Sequence, residues 1–423
     1  MGPLGHSLAA LLAVLGLPLG GAALLVRPGL RVGLGERLGR HPGAAPAGAG
    51  SGPGPVWVHG ASVGEITAAF GLLDALRARG EAVVASTTSL TGRARVRAAR
   101  SAVPSGLAPL DHPWIAAAAL RRVRPSALVL VETELWPGWI AAAHDRGIPV
   151  VVASGRISDR SLPRYRRLRR LLAPTLRRLA AVGARSDADA ARFVDLGVPA
   201  ARVRVTGDLK LEPTEAGRPP DPELAAALDR VPVLVAGSTH PGEEEAALAA
   251  LAAAEKAGFA LGLVVAPRRP ERFEAVAAQL AVCGRRVHRR TRLEGASLGP
   301  GEVLLLDSLG ELGAVYGLAA VAFVGGTLAP VGGHNLLEPV QRGRPVLFGP
   351  HTGNVREAEA LLRATGAGRG VEDAEDLASG VVAWLRDEQA GARVARAQQA
   401  LEAHRGAAGR VLALLDEVRG SGP

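Results

Sequence analysis

The sequence predicts an α/β protein of two Rossmann-like, doubly wound domains facing a cleft, behind an N-terminal hydrophobic segment. Three observations lead there. Short apolar runs alternate with Ala/Leu/Arg-rich helical stretches along most of the chain, which is the rhythm of parallel βαβ units. That rhythm breaks once, at the four-proline stretch "LEPTEAGRPPDPE" (211–223). At 423 residues the chain is long for one domain and comfortable for two.

The elements follow in order. Residues 2–26 carry no Asp, Glu, Lys or Arg, and "SLAALLAVLGLPLGGAALLV" approaches the ~20 residues that cross a bilayer. Arg27, Arg31, Arg37 and Arg40 follow, so residues 1–40 are expected to form a membrane anchor with a basic flank, leaving the rest on the cytoplasmic side. A cleaved signal peptide would want a basic region before the apolar run, and none is present. Glycines and Pro18 leave open an anchor that only dips into the interface. Residues 41–55 read as a Gly/Pro linker. Strands are expected at 56–59, 82–87, 127–131, 149–153, 180–183 and 203–206 in a first domain (56–210). A hinge (211–230) leads to a second domain (231–418), with strands near 232–236, 260–266, 302–306, 320–324 and 345–348 and a helical tail from about 374.

Composition narrows the function. A single cysteine, Cys283, excludes an internal disulfide and a Cys-based zinc site. The net charge of +10, nearly all from arginine, suits an anionic partner such as phosphate or a lipid surface. No basic motif interleaved with aromatics appears, so nucleic acid is not an expected partner. "YRRLRRLLAPTLRRLAA" (165–181) sets arginines beside leucines at helical spacing, which fits either anionic lipid or a solvated face.

The first domain opens on "VWVHGASVGEITAA" (56–69), a strand, a Gly-rich turn and a helix. Gly60–Gly64 matches G-x-S-x-G, the nucleophile elbow of serine hydrolases, with Ser62 as nucleophile. That chemistry needs an acid and then a histidine downstream, and small residues in a tight turn explain the pattern as well. Glu65 offers another reading. The helix dipole favours a carboxylate there by ~0.3–1 kcal/mol, and the glycines admit a substrate, so Glu65 is a candidate proton acceptor. The plain alternative is a first-turn glutamate that only favours its helix.

Further motifs sit at strand ends, where open α/β sheets bind ligands. "VLVETELWPGWI" (129–140) places Glu132 and Glu134 beside Trp136, suited to a polyhydroxylated ligand or to a packed loop. "VTGDLK" (205–210) supplies Lys210. "VAGSTHPGEEEAAL" (235–248) offers Ser238, Thr239 and His240 as phosphate or sugar contacts, with Glu243–Glu245 as an ordinary first helical turn. "VVAPRRPERF" (264–273) puts Pro267 and Arg268 after a strand, and "DSLGEL" (307–312) puts Gly310 and Glu311 on a loop. "FVGGTLAPVGGHNLLEPVQRGRPVLFGPHTGN" (323–354) leads a strand into glycines, His334–Asn335 as a cap, amides open to a phosphate, and Glu338 to receive ribose hydroxyls. Asp187-x-Asp189 reads as a helix start rather than a metal motif, and no metal or cofactor is assigned.

Together "HGASVGE", "TELWP", "VTGDLK", "GSTHPGEE", "PRRPERF", "FVGGTL…GGHNLLEP" and "GPHTGN" resemble the 3-deoxy-D-manno-octulosonic acid (Kdo) transferase family, in its order and spacing to about residue 370. The resemblance implies an inverting GT-B glycosyltransferase moving Kdo from CMP-Kdo to a lipid A precursor at the cytoplasmic face of the inner membrane. It implies Glu65 as general base, with Glu132 or Glu134 and Lys210 supporting the transition state. It implies CMP contacts at Pro267, Arg268, Leu309, Gly310, Glu311, Asn335, Leu336, Leu337 and Glu338. The long Gly/Pro linker departs from the family pattern. Against this stand a transferase using another nucleotide sugar, a serine hydrolase built on Ser62, and a non-catalytic nucleotide-binding protein.

Overall fold

The computed structural model describes residues 32–41, 54–133, 135–159, 161–212 and 219–420. The expected membrane segment, most of the linker, and Glu134 lie outside the described residues. Among the described residues no helix is long and apolar enough to cross a membrane. The chain divides into two compact units: one runs to Lys210 and resumes at Gly406, the other is Leu211–Arg405.

The first unit is a seven-stranded parallel sheet of β1 (Val56–His59), β2 (Val83–Thr87), β3 (Ser105–Leu107), β4 (Ala127–Val131), β5 (Val150–Gly155), β6 (Ala181–Ala184) and β7 (Val203–Val205), in the order β3-β2-β1-β4-β5-β6-β7. Helices cover both faces, so the central strands are apolar throughout rather than alternating. Val56 and Val58 of β1 feed the core on one face and Trp57 feeds the other, as the two-residue period of a strand requires. The second unit repeats the plan with β8 (Val233–Thr239), β9 (Gly262–Pro267), β10 (Val287–Arg289), β11 (Val303–Leu305), β12 (Ala319–Val324), β13 (Val346–Phe348) and β14 (Gly368–Gly370), ordered β10-β11-β9-β8-β12-β13-β14. Val233 and Val235 face one core, Leu234 and Ala236 the other.

Four features depart from the sequence reading. Three short edge strands, β3, β10 and β14, were not expected, because "SGL", "VHR" and "GRG" lack an apolar run. Residues 32–41 belong to the globular body rather than to a flank: Glu36 pairs with Arg93 at 2.9 Å, Leu110 N donates to Arg37 O at 2.9 Å, and His41 is buried against Trp57. The helix Pro222–Leu228, placed in the hinge, buries Leu224, Ala227 and Leu228 in the second unit's core. The last helix, Ala407–Gly420, was assigned to the second domain but sinks Val411, Leu412 and Leu415 into the core of the first.

Candidate functional site

In each sheet the chain runs outward in one direction and then restarts on the other side of its first strand. The restart falls between β1 and β4 in one unit and between β8 and β12 in the other, and ligand crevices form at the carboxyl ends of such strand pairs.

At the first of these, β1 is followed by Gly60, where a Cβ would lie 2.7 Å from Ile66 N, so the turn admits only glycine. Ser62 caps the helix Val63–Ala68, and Glu65 completes a capping box. Its Oε2 accepts from Ala61 N at 2.8 Å and Ser62 N at 3.4 Å, and its Oε1 accepts from Ser62 Oγ at 2.8 Å. Helix support and an anchored, partly exposed carboxylate are therefore one arrangement. The serine-hydrolase reading fails on the same bond, since the Ser62 hydroxyl donates to a carboxylate instead of a histidine. His59 is buried and its Nδ1 faces Ser86 Oγ at 2.9 Å.

Beyond β4, Glu132 takes φ +65°, a left-handed conformation rare outside glycine, and so turns back toward the site. Lys210 Nζ lies 2.6 Å from its Oε1. A Cβ on Gly64 would stand 3.9 Å from the same Nζ, which places Lys210 beside the Glu65 turn. Burial pushes the Glu132 pKa up, the Lys210 ammonium pulls it down, and the charges of Glu65 and Asp208 push it up again. Three of the four charged residues expected here therefore converge, and Glu134 lies outside the described residues. Trp136 packs edge-on to His59 with ring centroids 5.6 Å apart, so its indole is at least partly a packing element.

Two supporting residues escaped the sequence reading. Asp208, buried, accepts from Lys210 N at 2.9 Å, with Arg185 Nη1 3.6 Å away. Ser154, at φ +53° where the β5–β6 register shifts, accepts from Leu209 N at 2.8 Å. Asp208 stood inside a recognised motif, whereas nothing local marks Ser154.

At the second restart, Ser238 occupies a bulge in β8 with φ +57° and stays partly exposed. Thr239 does not fit as a ligand contact. It is fully buried and its hydroxyl donates to Glu244 Oε1 at 2.7 Å. His240 meets His334 Nε2 to Nε2 at 2.9 Å, the two ring planes 9° apart. Pro267 is buried opposite Thr239 in the β8–β9 ladder, and Arg268 follows on the surface with no side-chain partner among the described residues. Leu309 is 73% exposed, Gly310 has φ +85°, and Glu311 is held by Arg290 at 3.0 Å.

Leu336 and Leu337 bury their side chains in the core, which leaves only their backbone for a contact, and Leu337 N already donates to Asn335 Oδ1 at 3.1 Å. Glu338 joins this run to the 309–313 loop, since a Cβ on Gly313 would lie 2.6 Å from its Oε1. Burial raises its pKa, and its carboxyl makes no hydrogen bond among the described residues. Upstream of Asn335, the backbone N–H groups of residues 326–329 are all engaged. They point at Glu243, which is 1% exposed and is no ordinary first-turn acid.

Two doubly wound units with polar crevices at the strand ends are the architecture of the GT-B fold. MurG of Acinetobacter baumannii shares the fold, with a TM-score of 0.53 at 13% identity over 86% of this chain and 100% of that one. The family model described as 3-Deoxy-D-manno-octulosonic-acid transferase (kdotransferase) matches residues 32–212. The chain is 37% identical to the 3-deoxy-D-manno-octulosonic acid transferase of Bordetella pertussis over 90% of both chains. It is 33% identical to that of Haemophilus influenzae over 92% of both. The chain belongs to the 3-deoxy-D-manno-octulosonic acid transferase family.

Proposed function

We propose that this glycosyltransferase moves Kdo from CMP-Kdo to a lipid A precursor, with inversion, at the cytoplasmic face of the inner membrane. The observation that supports the reading most directly is the convergence of Glu65, Glu132 and Lys210 at the β1/β4 strand ends. Glu65 Oε2 is anchored by two amides, while Oε1 is bonded only by a hydroxyl that can rotate away. Oε1 therefore takes the acceptor alcohol's proton as the alcohol oxygen attacks the anomeric carbon. The C–O bond to phosphate breaks on the opposite side, and its electron pair leaves with CMP. Lys210, fixed by Glu132 and Asp208, supplies positive charge to the sugar carboxylate or the developing phosphate charge.

In the second unit Arg268 and the Ser238 hydroxyl are the groups left to meet the phosphate. Glu338 receives the ribose hydroxyls, and the exposed Leu309 covers the base. Five exposed arginines (Arg164, Arg166, Arg167, Arg169, Arg170) surround Leu168 and Leu171, the latter 72% exposed, a surface suited to anionic lipid.

The test is incubation of the full chain with CMP-Kdo and tetra-acylated lipid A precursor, with the product weighed by mass spectrometry. Each Kdo added appears as one mass increment. Glu65→Gln should abolish transfer and keep CMP binding, and an active E65Q enzyme would overturn the assignment. Inhibition by UDP in place of CMP would favour another nucleotide sugar.

A further inference from the structure

The Glu243 carboxylate is held by five backbone N–H groups and, among the described residues, by no cation. Oε2 accepts from His240 N at 2.8 Å and Gly326 N at 2.8 Å. Oε1 accepts from Thr327 N at 3.1 Å, Leu328 N at 3.0 Å and Ala329 N at 3.1 Å. Successive amides that converge in this way form an anion-binding concavity, and here the anion belongs to the protein. The fit leaves no spare room, because a Cβ on Gly325 would lie 2.7 Å from Oε2.

The loop so held leads straight to the donor side of the unit. Gly326 O accepts from Gly333 N at 2.7 Å, and Gly333 immediately precedes His334–Asn335. A Cβ on Gly326 would lie 3.0 Å from His334 Nε2, so Gly326 forms the floor beneath the His240–His334 pair. From the other side, His351 N donates to Thr327 O at 2.9 Å and Asn354 N to Gly332 O at 2.8 Å. Gly326, Gly332 and Gly333 have φ of +69°, +101° and +88°, so the loop conformation is one that most sequences would abandon without a fixed anchor.

We propose that Glu243 is a positioning residue for the donor. Its carboxylate stands where a phosphate would sit in an open loop, fixes residues 326–333, and through them sets the backbone of 334–338 that meets the nucleotide. Anions from solution are thereby kept from that nest, and the donor phosphate is directed to Arg268 and Ser238. This rests on the donor reading of the second unit given above.

Three variants of the full chain test it. Glu243→Gln keeps the volume but turns an amide donor toward either the His240/Gly326 pair or the 327–329 trio. Glu243→Ala removes a fragment of the size of acetate. Glu243→Asp keeps the charge on a shorter arm. With CMP-Kdo as varied substrate, kcat/KM should fall about 100-fold in E243Q, the scale of a 1 Å misplacement. The rise should be in the donor KM, with the acceptor KM unchanged. Sodium acetate should restore E243A activity and raise its unfolding temperature at constant ionic strength, while leaving E243Q and the wild type unchanged. E243D should recover part of the loss.

Equal losses in donor and acceptor kinetics, or an E243A enzyme indifferent to acetate in both readouts, would overturn the proposal. A wild-type protein that ignores CMP would overturn the donor reading instead, and the acetate-dependent unfolding shift would still decide whether the nest is an anion site that Glu243 fills.

Discussion

Replacing Lys210 with methionine isolates the charge balance of the first unit's site. The lost contact is a 2.6 Å charged hydrogen bond whose partners are 19% and 18% exposed. Removing one member of a fully buried pair costs about 3–5 kcal/mol, and a charged hydrogen bond alone contributes about 1.5–3 kcal/mol. With a fifth of each side chain still in water, about 2 kcal/mol is the expected loss near neutral pH. For a unit of this size that lowers Tm by roughly 4–8 °C.

The loss depends on pH in a defined direction. Burial holds the Glu132 pKa above its unfolded value, so this carboxyl costs nothing below the unfolded pKa and lowers stability as pH rises through the folded one. Without Lys210 the folded pKa rises further and the loss widens. Thermal or urea unfolding of wild type, K210M, E132Q and the double variant, at pH 4 and pH 7.5, measures this. K210M should be close to wild type at pH 4 and clearly weaker at pH 7.5. The E132Q/K210M protein should recover most of the difference. A K210M deficit that is the same at both pH values, or a double variant as weak as the sum of the singles, would refute the reasoning.

Burial pushes His59 down to about 3 and His41 down to about 4, whereas the unfolded imidazole protonates near 6.5. Stability is therefore lost as pH falls below 6.5, by about 2 kcal/mol per histidine at pH 5. H59Q should remove about half of the drop between pH 7.5 and pH 5 in urea titrations. Gly237→Ala should destabilise the second unit by about 1–3 kcal/mol, because its Cβ overlaps the buried Tyr316 hydroxyl and lies 2.6 Å from Cζ; differential scanning calorimetry would show the shift. Glu338 is raised by burial, so CMP affinity should weaken as pH falls through its titration. E338Q should bind CMP about tenfold more weakly with that pH dependence gone, as read by isothermal calorimetry.

The central strands were legible because both faces of a parallel sheet are covered, which writes runs such as "ALVLV" into β4. The edge strands β3, β10 and β14 were not, since one neighbour suffices to hold three residues of almost any composition. Glu65, Glu132 and Lys210 were legible as polar residues at the ends of apolar strands. Glu243 was not: a glutamate in a first helical turn is commonplace, and four of the five amides it serves lie 83–86 residues away in the chain. Thr239 shows the opposite, a position within a motif whose side chain points into the interior, while the buried side chains of Leu336 and Leu337 leave only their backbone for a contact. The helix Ala407–Gly420 carries apolar residues at helical spacing, but that pattern does not say which sheet they will cover.

That helix has a consequence for biosynthesis. The first unit is made first but lacks Val411, Leu412 and Leu415, and the Arg410 contact to Thr206 O at 2.9 Å, until the ribosome has passed residue 415. The second unit, by contrast, is complete in sequence at Arg405. The lobe that comes first along the chain is therefore sealed by a segment that follows the second lobe. A stop codon near residue 406 would leave the second lobe whole and expose the underside of the first.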